Sequence, residues 1–260
     1  MKTPDLPYPA IHTEEYPVEW SDGSALGRLS LTGLFNMVQL TAARHADICR
    51  FGFREMTAAG QAWVLNRLKI RFSQMPPCGE KIRVTTWIQS SNGILSRRNM
   101  SVEHDGQLIA QVSTLWVCID LQKRSPESIA IDYPGYLILP EKEIGFPAAA
   151  RIRPPGDTRA LRTYRAAFSD IDAMGHVNNV KYTQWILDSI PYEAAVGLTR
   201  GEIELNFVAE VHPGENVVIE QGGMPAEPIF VVRRKTDDRV AFLSRYRPCS
   251  DVTDHGEGVL

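Results

Sequence analysis

Apolar residues recur along this chain with two different periods. Tyr182, Trp185, Ile186, Ser189 and Ile190 fall at i, i+3, i+4, i+7 and i+8, one face of a helix, with Lys181, Gln184 and Asp188 on the other. Pro191 predicts its end. Leu31, Leu34, Phe35, Val38 and Ala42 form a similar stripe nearer the start. Elsewhere the period is two. Leu68, Ile70 and Phe72 alternate with Lys69 and Arg71, and Ile82, Val84 and Thr86 continue after a Pro-Pro-Cys-Gly turn. Asp105-Gly106 predicts a hairpin between strands over 97–103 and 108–119. Asp237-Asp238 predicts another between 229–235 and 240–246. A helix followed by a long antiparallel meander predicts an α+β fold, with a sheet wrapped around a helix.

The pattern occurs twice. Tyr16, Trp20, Ser21, Asp22, Ala25, Leu26, Gly27, Arg28 and Leu29 match Tyr164, Phe168, Ser169, Asp170, Ala173, Met174, Gly175, His176 and Val177 at an offset of 148 residues. Downstream, Phe72, Gly79, Glu80, Ile82 and Val84 match Phe207, Gly214, Glu215, Val217 and Ile219 at an offset of 135. The difference between 148 and 135 is an insertion of 13 residues in the first copy, expected within 45–62. Pro140, Pro147, Pro154, Pro155 and Gly156 mark 140–157 as the linker. The expected division is a first domain over 1–139 and a second over 158–260, with a loose tail after Tyr246.

Composition narrows the class. At 260 residues, 43% hydrophobic and 23% charged, the chain reads as globular rather than disordered. A net charge of -3 supplies no global field to attract nucleic acid. The N-terminal stretch does not read as a signal peptide, and no apolar run is long enough to span a membrane. Cys49, Cys78, Cys118 and Cys249 are far apart and form no metal-spaced pair, which predicts a reduced, cytoplasmic protein without structural zinc. No phosphate-binding glycine loop is present, so no cofactor or metal is expected.

The two copies diverge in one place that carries chemistry. Arg28 stands where the second copy has His176, Ser24 where it has Asp172, and Ser30 where it has Asn178. The second copy thus gathers Asp172, His176, Asn178 and Asn179 just before a helix. A helix N-terminus offers free N–H groups that can hold a carbonyl oxygen as it becomes an oxyanion. Asp172 is suited to attack that carbonyl or to activate water, and His176 to position water. Plainer roles exist for each: Asp170 and Asp172 as turn residues, Asn178 or Asn179 as an N-cap, His176 as a satisfied buried histidine.

The run from Ser169 to Tyr182 (Ser-Asp-Ile-Asp-Ala-Met-Gly-His-Val-Asn-Asn-Val-Lys-Tyr) resembles the signature of hot-dog-fold thioesterases. The whole chain, from about Glu14 to Tyr246, resembles the acyl-ACP thioesterases of plants and bacteria, through Ala62–Leu65, Trp116–Asp120 and Trp185–Asp188 as well. The resemblance implies two tandem hot-dog domains, the first contributing the acyl pocket and the second the chemistry. It implies Asp172, His176 and Glu210 as catalytic residues, with Met174, Gly175, Asn178 and Asn179 facing substrate; an exposed strand carboxylate is the plain alternative for Glu210. The chain departs from the family in two places. Met174 replaces an asparagine, and Val211 replaces a cysteine found after the glutamate in the plant enzymes. The second motif therefore holds no cysteine for a thiol mechanism, which leaves a carboxylate-driven one.

The implied reaction is hydrolysis of fatty acyl thioesters in fatty acid biosynthesis, with acyl carrier protein as partner. The alternatives are an acyl-CoA thioesterase, a hydratase of acyl thioesters, or a non-catalytic acyl-binding module. Carrier docking would need basic residues. Arg67, Lys69 and Arg71 share a strand face, Arg97 and Arg98 follow, and Arg151, Arg153, Arg159, Arg162 and Arg165 cluster in and after the linker. Two fused units already mimic a dimer, so a monomer is sufficient, with a homodimer possible.

Overall fold

The structure, a computed structural model, describes residues 7–248. Cys249 and the end of the expected tail lie outside the described residues. The first copy runs β1 (Ile11–Pro17), α1 (Leu31–Ile48), α2 (Phe53–Ala58), β2 (Gln61–Phe72), β3 (Lys81–Ser91), β4 (Leu95–His104), β5 (Gln107–Asp120) and the short β6 (Ser125–Pro126). The second runs β7 (Thr158–Arg165), α3 (Asn179–Leu187), α4 (Tyr192–Val196), β8 (Gly201–Phe207), β9 (Asn216–Met224), β10 (Glu227–Arg234) and β11 (Val240–Arg247). The Asp105-Gly106 hairpin has φ of 49° and 75° at its two turn residues, the conformation a two-residue turn needs to match the strand twist.

Each copy wraps its sheet around its helix as expected, and the two sheets are joined edge to edge. The strands form one antiparallel sheet in the order β1-β3-β4-β5-β2-β8-β11-β10-β9-β7, with β6 added to β5. The order reads the same from both ends once the copies are exchanged. The seam is β2 against β8, from Arg67↔Asn206 to Phe72↔Gly201. At the 135-residue offset Lys69 and Glu204 are equivalent, and they pair with each other, so the pseudo-twofold axis passes between them. In a true homodimer such a residue would meet its own copy. Fusion allowed opposite charges instead: the Lys69 ammonium lies 3.7 Å from Glu204 and 2.9 Å from Glu202. Arg245 also pairs with Glu204, and backbone N–H groups of Ala150 and Ile152 bond to Glu204 and Asn206 across this face.

The expected basic row on β2 is therefore not free. Lys69 is 6% exposed, Arg71 pairs with Glu202, and Arg67 donates to the Ala149 carbonyl. The irregular chain between β6 and β7 begins near residue 127, earlier than the expected 140, and its later part, Phe146 to Ile152, covers this seam.

Both helices pack their apolar stripes inside the curve of the sheet. α1 buries Leu34, Phe35, Val38, Thr41, Ala42 and His45, and α3 buries Val180, Tyr182, Trp185 and Ile186. The stripe in α3 stops sooner than its spacing predicts, because the residue before a proline is pushed out of helical conformation. The helix ends at Leu187, and Ser189 folds back to donate to the Trp185 carbonyl. α4 resumes after Pro191. At the 148-residue offset, α3 plus α4 covers the length that α1 spans as one continuous helix. The 13-residue insertion is therefore not in the helix. It consists of α2 and the segment Gln61–Leu65, where β2 pairs with β5 but not with β8.

Candidate active site

Both copies turn into their helix in the same way. The Asp170 carboxylate accepts from the Ala167 N–H at 2.8 Å, and Asp22 from the Glu19 N–H at 3.1 Å. The chain then closes a small loop, with the Asp172 N–H on the His176 carbonyl (2.9 Å) and the Ser24 N–H on the Arg28 carbonyl (2.7 Å). Gly175 and Gly27 sit at φ of 80° and 66°, a region glycine enters without penalty. Asn178 caps α3 through the Val180 N–H, and Ser30 caps α1 through the Gly33 N–H. Asp170 and Asn178 are thus scaffold in both copies. The groups that differ are Asp172 against Ser24, His176 against Arg28 and, at the strand offset, Glu210 against Met75.

Those three second-copy side chains are half-buried around one loop. His176 Nε2 is 3.3 Å from a Glu210 carboxylate oxygen. The other Glu210 oxygen pairs with Arg124, from the β5–β6 turn of the first copy, and Arg234 donates to the Glu210 carbonyl at 3.0 Å. Asp172 accepts from the Met174 N–H at 2.8 Å. Its carboxylate makes no contact with the His176 ring nitrogens within 4.0 Å among the described residues. The His212 ring meets His176 edge-on, 5.0 Å between centroids. Donor atoms of His176, Glu210 and His212 lie within 4.8 Å of one another, a set that suits a divalent cation. Below them Tyr182 is buried, and burial raises its phenol pKa, so it is a neutral hydrogen-bonding group at physiological pH.

The remaining candidates mark where the two copies meet. The Asn179 amide donates to Gln39 of α1 at 3.1 Å. Met174 is 42% exposed and edges an apolar cavity of about 220 Å³ in the first copy. Ala42, Ala43 and Ala46 of α1 form one wall, and Phe51 and Met56, in and beside the insertion, form another. Arg98 also lines it. This side chain is 5% exposed, and no carboxylate lies within 4.0 Å of it among the described residues. It donates to His45 Nδ1 (2.6 Å) and to the Thr86 hydroxyl (3.1 Å). His45 Nε2 in turn donates to the Pro9 carbonyl (2.8 Å). Burial and then the Arg98 charge push the His45 pKa down to about 4, so the ring stays neutral.

Arg124, His212 and the His45–Arg98 pair are absent from the sequence reading. Arg124 is 86 positions from Glu210 and belongs to the other copy, so no local pattern could have linked them. Arg98, expected among the basic residues available to a carrier, is buried instead. Arg97 donates to the Phe146 carbonyl. Arg151, Arg153, Arg159, Arg162 and Arg165 are exposed.

A sheet of this order around two helices, with one acidic–imidazole loop facing a cavity of the other copy, defines a tandem hot-dog protein. Comparison with known proteins gives the family. A model for the acyl-ACP thioesterase N-terminal domain matches residues 9–135, and one for the C-terminal domain matches 155–241. The chain belongs to the acyl-ACP thioesterase family. It is 26% identical over 176 residues to a chloroplastic palmitoyl-acyl carrier protein thioesterase of Gossypium hirsutum, covering 62% of this chain and 43% of that protein. It thus spans less than half the length of such curated relatives. An acyl-ACP thioesterase structure from Bacteroides thetaiotaomicron superposes with a TM-score of 0.84 at 27% identity, covering 92% of this chain and 97% of the other. The 12:0-ACP thioesterase of Umbellularia californica shares the fold, with a TM-score of 0.76 at 17% identity over 92% of this chain and 97% of that one. Among the described residues, no helix is long and apolar enough to cross a membrane.

Proposed function

We propose that the protein hydrolyses fatty acyl thioesters carried by acyl carrier protein, releasing a free fatty acid and the carrier thiol. One observation carries this reading: Met174, two residues from Asp172 and two from His176, edges an apolar cavity in the other copy. A chain in that cavity would present its thioester carbonyl to the catalytic loop and the N-terminus of α3. In this reading residues 1–139 supply the acyl cavity, 140–157 the linker and 158–260 the chemistry. Met174, Gly175, Asn178 and Asn179 border the carbonyl end of the substrate, Asn178 by holding the helix terminus in place.

Asp172 attacks the carbonyl or draws a proton from water. His176 holds the water or the leaving sulfur's proton, and Glu210, fixed by Arg124, orients the imidazole. One water is consumed, the C–S bond breaks, and the proton passes to the thiolate. Carriage by acyl carrier protein rather than coenzyme A is favoured by family membership and by the exposed arginines on β7. The free thiols of Cys49, Cys78 and Cys118 fit a reduced, cytoplasmic setting, and the two fused copies make a monomer sufficient.

The test is a panel of acyl-ACP and acyl-CoA thioesters with Asp172→Asn and His176→Ala. Each variant should lose about 10²–10⁴-fold in kcat/KM. Wild-type turnover in both variants would sink the assignment, and acyl-chain retention with no turnover in the wild type would favour a binding module.

A further inference from the structure

The loop that matches the catalytic loop across the pseudo-twofold axis also edges a cavity. The catalytic loop edges the cavity in the first copy. Its counterpart, the loop around Ser24 and Arg28, edges a cavity of about 480 Å³ formed with α3 and α4 of the second copy. The correspondence holds at two positions. Leu26 takes the place of Met174, and Ala195, at the 148-residue offset, takes that of Asp47. Each of the two equivalent loops therefore edges a cavity, and the larger of that pair is the one without the chemistry.

What replaced the chemistry is informative. Ser24, Arg28 and Met75 stand for Asp172, His176 and Glu210, so the loop has no carboxylate to activate water. It has instead a permanent cation. Arg28 is half-buried, donates to the Met75 carbonyl at 2.7 Å, and has no carboxylate within 4.0 Å among the described residues. That one hydrogen bond leaves four of the five guanidinium N–H donors for another acceptor. Leu187, Val196 and Leu198 also line the cavity, and Leu26 and Tyr192 there remain 46% and 64% exposed. A cation and exposed apolar side chains in the lining of one cavity complement an amphiphile with an anionic head.

We propose that this second cavity binds a free fatty acid, its carboxylate on Arg28 and its chain along α3 and α4. The identity of the acid as reaction product rests on the hydrolase reading; the binding site does not. An inorganic anion would leave the apolar wall unused, and a thioester would offer no charge to Arg28. Gln184 and Leu187 line the groove on α3, whose other end carries Asn178 and Asn179 beside the catalytic loop, so an occupied groove touches the helix on which the active site is built.

Binding of dodecanoate, below its micelle concentration, is measured by calorimetry on wild type, Arg28→Gln, Arg28→Lys, Tyr192→Glu and His176→Ala, with dodecanol as the uncharged control. A charge-assisted hydrogen bond to a guanidinium predicts at least about tenfold weaker dodecanoate binding in Arg28→Gln. Arg28→Lys should recover most of it. Tyr192→Glu, a change at an exposed position, should weaken binding through repulsion of the acid. His176→Ala should bind as wild type does, and dodecanol should not distinguish Arg28→Gln from wild type. Equal dodecanoate affinity in wild type, Arg28→Gln and Tyr192→Glu overturns the proposal, as does no binding at all. Loss in His176→Ala but not in Arg28→Gln overturns it too, because the acid then sits in the catalytic cavity; that result leaves the hydrolase reading intact.

Discussion

Lowering the pH from 7 to 5 should destabilise the wild-type protein by about 2 kcal/mol more than a His45→Gln variant. His45 is fully buried in α1, and both ring nitrogens are committed: Nδ1 accepts from Arg98 at 2.6 Å and Nε2 donates to the Pro9 carbonyl at 2.8 Å. The His12 ring stacks on it at 5.8 Å. A second proton would have to enter at Nδ1, against a buried guanidinium. The folded pKa is accordingly about 4, against 6.5 in the unfolded chain. The sign follows from which state takes the proton first. Above 6.5 neither does, and the neutral ring costs nothing. As the pH falls from 6.5 toward 4, the unfolded chain gains a proton that the folded chain refuses, so stability falls. At pH 5 the unfolded histidine is almost fully protonated and the folded one scarcely at all, which is about 2 kcal/mol at 1.36 kcal/mol per pH unit. Glutamine offers an acceptor without a titrating nitrogen. Urea unfolding of both proteins at both pH values supplies the double difference, in which carboxylates common to both cancel. A wild type and variant that lose equal stability would refute the claim that Arg98 and burial hold His45 neutral.

Three further outcomes follow from the site. Arg124→Ala frees one oxygen of Glu210 in a half-exposed pair worth at most about 1 kcal/mol, so kcat/KM should fall no more than roughly fivefold, with Arg124→Lys restoring part of it. Ala46→Leu narrows the cavity wall, and a chain-length series should shift to shorter acyl groups, with kcat/KM for the longest accepted chain down at least about tenfold. Reversing the exposed Arg159, Arg162 and Arg165 to glutamate should raise KM for acyl-ACP by at least about tenfold and leave acyl-CoA nearly unchanged, because steering depends on the charge of the carrier. Equal effects on both substrates would move the docking surface elsewhere.

Much of the fold was legible because it is local and repeated. The helical stripes, the alternating strands and the Asp105-Gly106 turn are short-range patterns, and the duplication separates residues the copies share from residues they do not. That comparison set Asp172 and His176 apart from Asp22 and Asp170, whose common role as turn acceptors the structure describes in both copies. The end of α3 was missed because Pro191 acts backward on its neighbours, which periodicity does not register.

The chain by itself determined the two copies, the kind of element in each and the loop where they differ. Tertiary structure decided what lies across the axis. A strand's hydrogen-bonding edge does not name its partner, so the joining of β2 to β8 could not be read from either strand. Neither could the facing of Lys69 and Glu204. The same holds for charge: Lys69 and Arg98 look alike in sequence to Arg159 and Arg165, and whether a cation is buried against a carboxylate, buried against a neutral histidine or left in water depends on residues far along the chain.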